Sequence, residues 1–187
     1  DGVARLGATL LPLVHSGSAK RDGLGASALP GLFLYLAREK ETHRLIALHP
    51  ELDRATRALG WTELTPIQDQ VIPLLRSGRD VIGQAQTGTG KTGAFALPLL
   101  ERISGPARRP FVLVIVPTRE LCLQVATEFA TLGKFRRARV AAVYGGNGYG
   151  AQERELRLGI HILVGTPGRL LDLVGRRTLD LGGVNML

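Results

Sequence analysis

The order of apolar segments in this chain predicts an α/β fold, a mainly parallel sheet flanked by helices. Three observations carry that reading. Short apolar or β-branched runs at Asp80–Gly83, Phe111–Val116, Val140–Tyr144 and Ile160–Val164 alternate with segments whose apolar residues recur at helical spacing. The run Phe111-Val-Leu-Val-Ile-Val-Pro117 is apolar without interruption and stops at proline, as a strand covered on both faces does. Between the first of these strands and the helix predicted over Gly93–Ile103 lies a glycine-rich loop. Crossovers in such a fold are right-handed, and ligands gather at the carboxyl ends of the strands.

The elements follow in order. Glu51 to Leu59 reads as a short amphipathic helix stopped by Gly60, and Thr65-Pro66 opens a second helix from about Ile67 to Leu75. Ser77-Gly-Arg-Asp80 turns into the strand ahead of the glycine loop. Arg119 to about Lys134 is helical, Val140–Tyr144 is a strand ending in Gly145-Gly146, and Gln152 to Leu158 is a charged helix. Ile160–Val164 is a strand, Gly168 to about Arg176 a helix, and Val184–Leu187 begins a last apolar run.

Residues 1–42 behave differently and are read as an N-terminal extension to which no role is assigned, ahead of a domain over 43–187. Arg5, the apolar stretch Leu6–Val14 and the small residues Ser16–Ala19 superficially resemble a secretory leader, but Pro12 interrupts the stretch and the first residue is aspartate. Leu32–Ala37 is far shorter than the roughly 20 residues of a membrane span. No membrane association is expected.

Hydrophobic residues make up 44% of the 187, enough to bury a core. Net charge is +8 and the cations are overwhelmingly arginine, which favours a polyanionic partner. Cys122 has no second cysteine and falls in a helical apolar pattern, where a small buried hydrophobe is expected. His15, His43, His49 and His161 lack the paired spacing of a zinc site, so no metal cage is expected. A cytoplasmic location fits both.

The loop Ala85-Gln86-Thr87-Gly88-Thr89-Gly90-Lys91-Thr92 carries the chemistry. Its glycines let backbone N–H groups turn toward phosphate oxygens, Lys91 adds a mobile positive charge, and the Thr92 hydroxyl is suited to ligate Mg2+. The following helix N-terminus adds a partial positive charge at the same place. The general pattern begins with glycine and this chain has Ala85. Three more segments follow strands on the same edge: Pro117-Thr-Arg-Glu-Leu121, Gly145-Gly146 and Thr166-Pro-Gly-Arg169, each combining a tight turn with groups suited to a phosphodiester backbone.

Taken together and in this order, the segments resemble the first half of a DEAD-box RNA helicase, over roughly Pro50 to Leu187. Gly60-Trp-Thr-Glu-Leu-Thr-Pro-Ile-Gln68 is similar to the Q motif, Ala85–Thr92 to motif I, Pro117–Leu121 to motif Ia, Gly145-Gly146 to the GG element and Thr166–Arg169 to motif Ib. Asn147-Gly-Tyr-Gly150 and Gly168–Leu173 resemble the bacterial RhlE-type subgroup. The resemblance implies a RecA-like P-loop NTPase domain using ATP and Mg2+. It implies that Gln68 pairs with the adenine edge, that residues 85–92 hold the phosphates, and that Lys91 and Thr92 serve catalysis. It further implies sequence-independent contacts to RNA from Thr118, Arg119, Gly145, Gly146, Thr166, Gly168 and Arg169. Where the family stacks an aromatic ring on adenine this chain has His43, and Leu64 stands where proline is usual.

The family's Asp-Glu-Ala-Asp sequence would begin a few residues past Leu187, and the second RecA-like domain would follow. The chain is therefore expected to be a fragment, incomplete at its C-terminus and inactive by itself. Two other functions stay open from the sequence: a DNA helicase of the same superfamily, and a non-catalytic nucleotide- or nucleic-acid-binding unit.

Overall fold

The computed structural model describes residues 8–11, 33–36 and 47–187. Two short strands, β1 (Ala8–Leu11) and β2 (Phe33–Leu36), come first, followed by α1 (Pro50–Ala58) and α2 (Pro66–Arg76). Strands and helices then alternate: β3 (Val81–Gln84), α3 (Lys91–Glu101), β4 (Val112–Ile115), α4 (Arg119–Leu132), β5 (Val140–Val143), α5 (Tyr149–Arg157), β6 (Ile162–Gly165) and α6 (Pro167–Gly175).

Local chemistry sets several of these boundaries. Proline occupies the first helical position of α1, α2 and α6, where its missing N–H costs nothing. Thr118 caps α4 by accepting the Leu121 N–H at 3.2 Å. Helix α5 begins at Tyr149, three residues before the expected start at Gln152. Gly148-Tyr149-Gly150 reads locally as a turn, and packing around the Tyr149 ring overrides that preference.

All strand pairs are parallel, as expected, but the described strands form two sheets rather than one. One has the order β4-β6-β5, with Val112 opposite Ile162 and Val140 opposite Ile162. In the other, β3 lies between β1 and β2, with Leu11 and Leu36 both opposite Gln84. Both edges of β3 are thus taken by segments from the N-terminal extension, which leaves none for β4. The free edge of β4 is met by the last apolar run, where the Leu113 N–H donates to Met186 O at 2.9 Å and the Asn185 N–H to Phe111 O at 3.0 Å.

The core lies on both faces of β6. Ile162 and Val164 join Phe129, Leu97, Leu100 and Leu132 beneath α3 and α4, while Leu163 packs with Leu170 and Leu173 of α6. Each such side chain contributes roughly 1.5–3 kcal/mol by leaving water. A third cluster, Ile67, Val71, Leu75, Val81, Ala85 and Ala94, fixes α2 and α3 against β3. Cys122 is fully buried with its Sγ 3.3 Å from Val164 O, and burial pushes its thiol up to about 11. It serves the core, as expected. Among the described residues no helix is long and apolar enough to cross a membrane, and no group of three or more His, Cys, Asp or Glu forms a metal cage.

Candidate nucleotide and nucleic-acid site

The phosphate loop leaves β3 and enters α3. Ala85, where the general pattern has glycine, is buried in the cluster with Ile67, Val71 and Ala94. Its methyl group packs instead of colliding, which accounts for the substitution. Gly88 and Gly90 sit at φ +81° and +80°, a left-handed conformation natural to glycine, and Gly90 is the residue that starts α3. The first turn of α3 holds no acidic residue, so nothing neutralises the positive end of the helix. Gln86, Thr87 and Gly88 are exposed, and the Thr89 hydroxyl donates to Gln86 O at 2.8 Å.

Lys91 folds back over its own loop. Its Nζ donates to the carbonyls of Ala85, at 2.7 Å, and Gln86, and partial burial holds its pKa below the usual lysine value. Beside it, Gln68 is 1% exposed and both ends of its amide are engaged. Oε1 accepts the Thr65 N–H at 3.0 Å and Nε2 donates to Gly90 O at 3.0 Å. The same side chain therefore closes the capping box of α2 and latches the phosphate loop. A methyl group added at Gly90 would fall 2.5 Å from Gln68 Nε2, and one added at Gly93 would fall 2.6 Å from Trp61 Cη2. Both glycines give Gln68 and Trp61 room to lie against the start of α3. Leu64 is 1% exposed and packs in the core with Leu52 and Ile72, which accounts for leucine at that place.

Thr92 is hydrogen-bonded to the side chain of Glu128 on α4, whose carboxyl is pushed above the usual range by burial and drawn back in part by that bond. The Phe95 and Phe129 rings, 5.7 Å apart, hold the two helices together beside that bond. The sequence reading missed Glu128. The signal for it is helical phase, since Glu128 shares a stripe with the buried residues Val125 and Leu132.

These groups suit the cofactors the motif implies. Loop N–H groups, an acid-free helix start and a movable ammonium match a polyphosphate. The Thr92 and Glu128 oxygens match Mg2+, which takes one or two protein oxygens and completes its shell with phosphate and water. His43 lies outside the described residues.

The remaining candidate groups share the edge where strands end. Thr118, Arg119, Gly145, Gly146 and Gly168 are exposed and Thr166 is half-buried. The Arg119 guanidinium lies 5.0 Å from the centre of the Tyr144 ring, which fixes it beside Gly146. Gln152 exchanges two 3.2 Å bonds with the backbone of Tyr144 and so sets the start of the double-glycine turn. Arg169 is placed otherwise: it is 8% exposed, donates to Asn147 O at 2.8 Å and Gln152 Oε1 at 3.2 Å, and lies 4.3 Å from the Tyr149 ring centre. Its guanidinium ties α6 to the loop after β5. A hollow of about 390 Å3 lined by Leu123, Tyr144, Asn147, Gln152 and Glu155 opens next to that loop. Gln152, Tyr144 and Tyr149 were not singled out from the sequence, because their roles depend on tertiary partners.

Residues 65–187, the stretch containing every described candidate group, match the family model for DEAD/DEAH box helicases. The chain belongs to the DEAD/DEAH box helicase family. Among curated members, it is 51% identical over 138 residues to the DEAD-box ATP-dependent RNA helicase CshA of Bacillus subtilis, covering 74% of this chain and 28% of the relative. It is 47% identical over 143 residues to the ATP-dependent RNA helicase DeaD of Mycobacterium tuberculosis, covering 76% and 25%. The chain thus spans about a quarter of the length of these helicases. A crystal structure of a hypothetical ATP-dependent RNA helicase from Sulfolobus tokodaii superposes with a TM-score of 0.67 at 39% identity, over 73% of this chain and 40% of that one. The family's RecA-like fold is therefore present as part of a domain.

Proposed function

We propose that this chain supplies the ATP-binding and RNA-contacting face of an ATP-dependent RNA helicase in the cytoplasm, with residues 43–187 as its working unit. What carries the reading is the convergence of the phosphate loop and three backbone-contacting turns on strand ends, within a stretch that matches the helicase family from residue 65 to 187. The relatives named as ATP-dependent RNA helicases support the same activity here. The wording of Asn147–Gly150 and Gly168–Leu173 supports the RhlE-type subgroup.

The residues divide the work as follows. Lys91 exchanges its two carbonyl partners for β- and γ-phosphate oxygens, a favourable trade of neutral acceptors for charged ones. Gln68 has the donor and acceptor that the adenine edge requires, and His43 would lie over the base. Thr92 would hold Mg2+, and that ion would supply neutralisation of phosphate charge. Positioning and electrostatics then do most of the work of phosphoryl transfer. Thr118, Arg119, Gly145, Gly146, Thr166, Gly168 and Arg169 hold RNA by sugar and phosphate, so sequence is not read.

Calorimetric titration of the chain with ATP and GTP, wild type and Lys91→Ala, tests the nucleotide half. ATP should bind selectively and the variant should lose most of that affinity; equal affinity for both nucleotides would refute the role given to Gln68, and undiminished affinity in the variant would refute the role given to the loop. Competition between single-stranded RNA and DNA of one sequence tests the other half. A preference for DNA would favour a DNA helicase, and binding without ATPase stimulation in a longer form of the protein would favour a non-catalytic binder.

A further inference from the structure

The strands of the β4-β6-β5 sheet are parallel, so their starts lie on one edge, opposite the backbone-contacting turns that follow their ends. That edge is strongly basic. The segment leading into β4 carries Arg102, Arg108 and Arg109, and the segment leading into β5 carries Lys134, Arg136, Arg137 and Arg139. Of these seven cations only Arg136 is withdrawn, its side chain 11% exposed against Glu51.

His161, buried at the start of β6, knits the segments together. Its Nδ1 accepts the Arg139 N–H at 3.0 Å, so the ring proton sits on Nε2 and faces Gly105 O at 3.2 Å. Gly159 presses against the Ala107 carbonyl so closely that an added methyl group would fall 2.1 Å from it. Arg139 donates to Leu158 O at 2.6 Å and Arg136 to Ile103 O at 2.8 Å. The cations therefore stand on a braced surface, around a hollow of about 160 Å3 lined by Arg102, Arg108, Arg109, Phe111, His161 and Gly183.

Carboxylates do not balance this surface. Asp180 pairs with Arg109 at 3.1 Å, both exposed, while Glu101 is committed to Arg76. The side chains of Arg108 and Arg137 have no ion pair or hydrogen bond among the described residues. Arg137 is held at φ +53°, an uncommon conformation for arginine, in the tight turn that opens with the Lys134 carbonyl. Unpaired like charges on a rigid edge repel one another, and a bound polyanion relieves that repulsion while releasing its own counterions.

We propose that the strand-start edge is a second nucleic-acid surface, binding the phosphodiester backbone of a single RNA strand through Arg102, Arg108, Arg109, Lys134, Arg137 and Arg139. The site lies outside the ATP and RNA face described above. Arginine's planar fork suits phosphate, and the few apolar or aromatic groups in the hollow give no means of reading bases.

The test uses the full chain carrying Arg108→Gln, Lys134→Gln and Arg137→Asn, asparagine being chosen because it tolerates a positive φ. Binding of a single-stranded RNA is followed against salt concentration. Losing three phosphate contacts should make the salt slope shallower by about 2, so the variant loses roughly fifteen- to twentyfold less affinity than wild type between about 50 mM and 200 mM salt. Nucleotide affinity and the melting temperature should be unchanged, which separates this surface from the other edge and from a folding defect. An unchanged slope in a folded variant would overturn the proposal. So would displacement of RNA from the wild type by polyglutamate at equal charge concentration, since the surface would then favour an acidic polypeptide.

Discussion

Replacing Gln68 by alanine removes an amide with two partners inside the protein before any nucleotide arrives. The Thr65 N–H loses its acceptor and Gly90 O loses its donor, both at 3.0 Å in the native chain. Each bond is worth about 1 kcal/mol net, and stranding a buried partner adds to the loss. The side chain is 1% exposed, so its removal also leaves a gap beneath Trp61 and Gly93. Together these give a stability loss of about 3 kcal/mol. For a chain of this size that corresponds to a fall in melting temperature of roughly 6–12 °C. Urea titration by circular dichroism, without nucleotide, measures it. Gln68→Glu separates the two bonds, since a carboxylate still accepts from Thr65 but meets the Gly90 carbonyl as a second acceptor. It should recover part of the capping stability and leave the phosphate loop unlatched, seen as faster amide hydrogen exchange over residues 86–91. A loss below about 1 kcal/mol in Gln68→Ala, with unchanged exchange in both variants, would refute the latch.

Three further outcomes follow from the same geometry. Gly93→Ala should destabilise the chain although alanine is the better helix former by about 1 kcal/mol, because its methyl group would fall 2.6 Å from Trp61 and 2.8 Å from Gln68; a higher unfolding midpoint would show that the contact yields freely. Glu128→Gln should raise stability at neutral pH and weaken the Mg2+ dependence of nucleotide affinity. The folded chain binds the Glu128 proton more tightly than the unfolded one, so wild type loses stability as pH rises above the ordinary carboxyl value and the variant should not, as paired melts at acidic and neutral pH will reveal. Cys122, its thiol raised to about 11, should resist a disulfide reagent at pH 8 until denaturant is added; rapid labelling of the native chain would contradict its burial.

Much of the fold was legible because its signals are local. Pro66 after Thr65, Pro167 after Thr166 and the unbroken run into Pro117 each announce a boundary within a few residues. The division into two sheets was not legible, since it depends on which segments reach the edges of β3, and the apolar patches around Ala8–Leu11 and Phe33–Leu36 carry no sign of their partner. In the site, residue types and spacing located the phosphate loop after β3 and the turns after β4, β5 and β6. What they could not convey is commitment. Gln68 offers a free amide on paper and an engaged one in the fold, and Arg169 reads as a surface cation yet lies buried between Tyr149, Asn147 and Gln152. Arg176, 4.0 Å from the centre of the same ring, and Asp172, whose carboxyl is held low by Tyr149 and then by Arg176, complete an arrangement spread over more than twenty residues of sequence.

Trp61 is the only tryptophan in the 187 residues, and it stands at the first turn of α3 with its ring edge against Gly93 and the Gln68 amide beside it. The chain therefore carries a built-in optical probe at the place where nucleotide should bind. Any ligand that draws the Gln68 amide away from Gly90, or shifts the start of α3, changes the polarity and quenching around the indole. Selective tryptophan excitation can follow that rearrangement in real time without a label, and no second tryptophan in the sequence dilutes the signal.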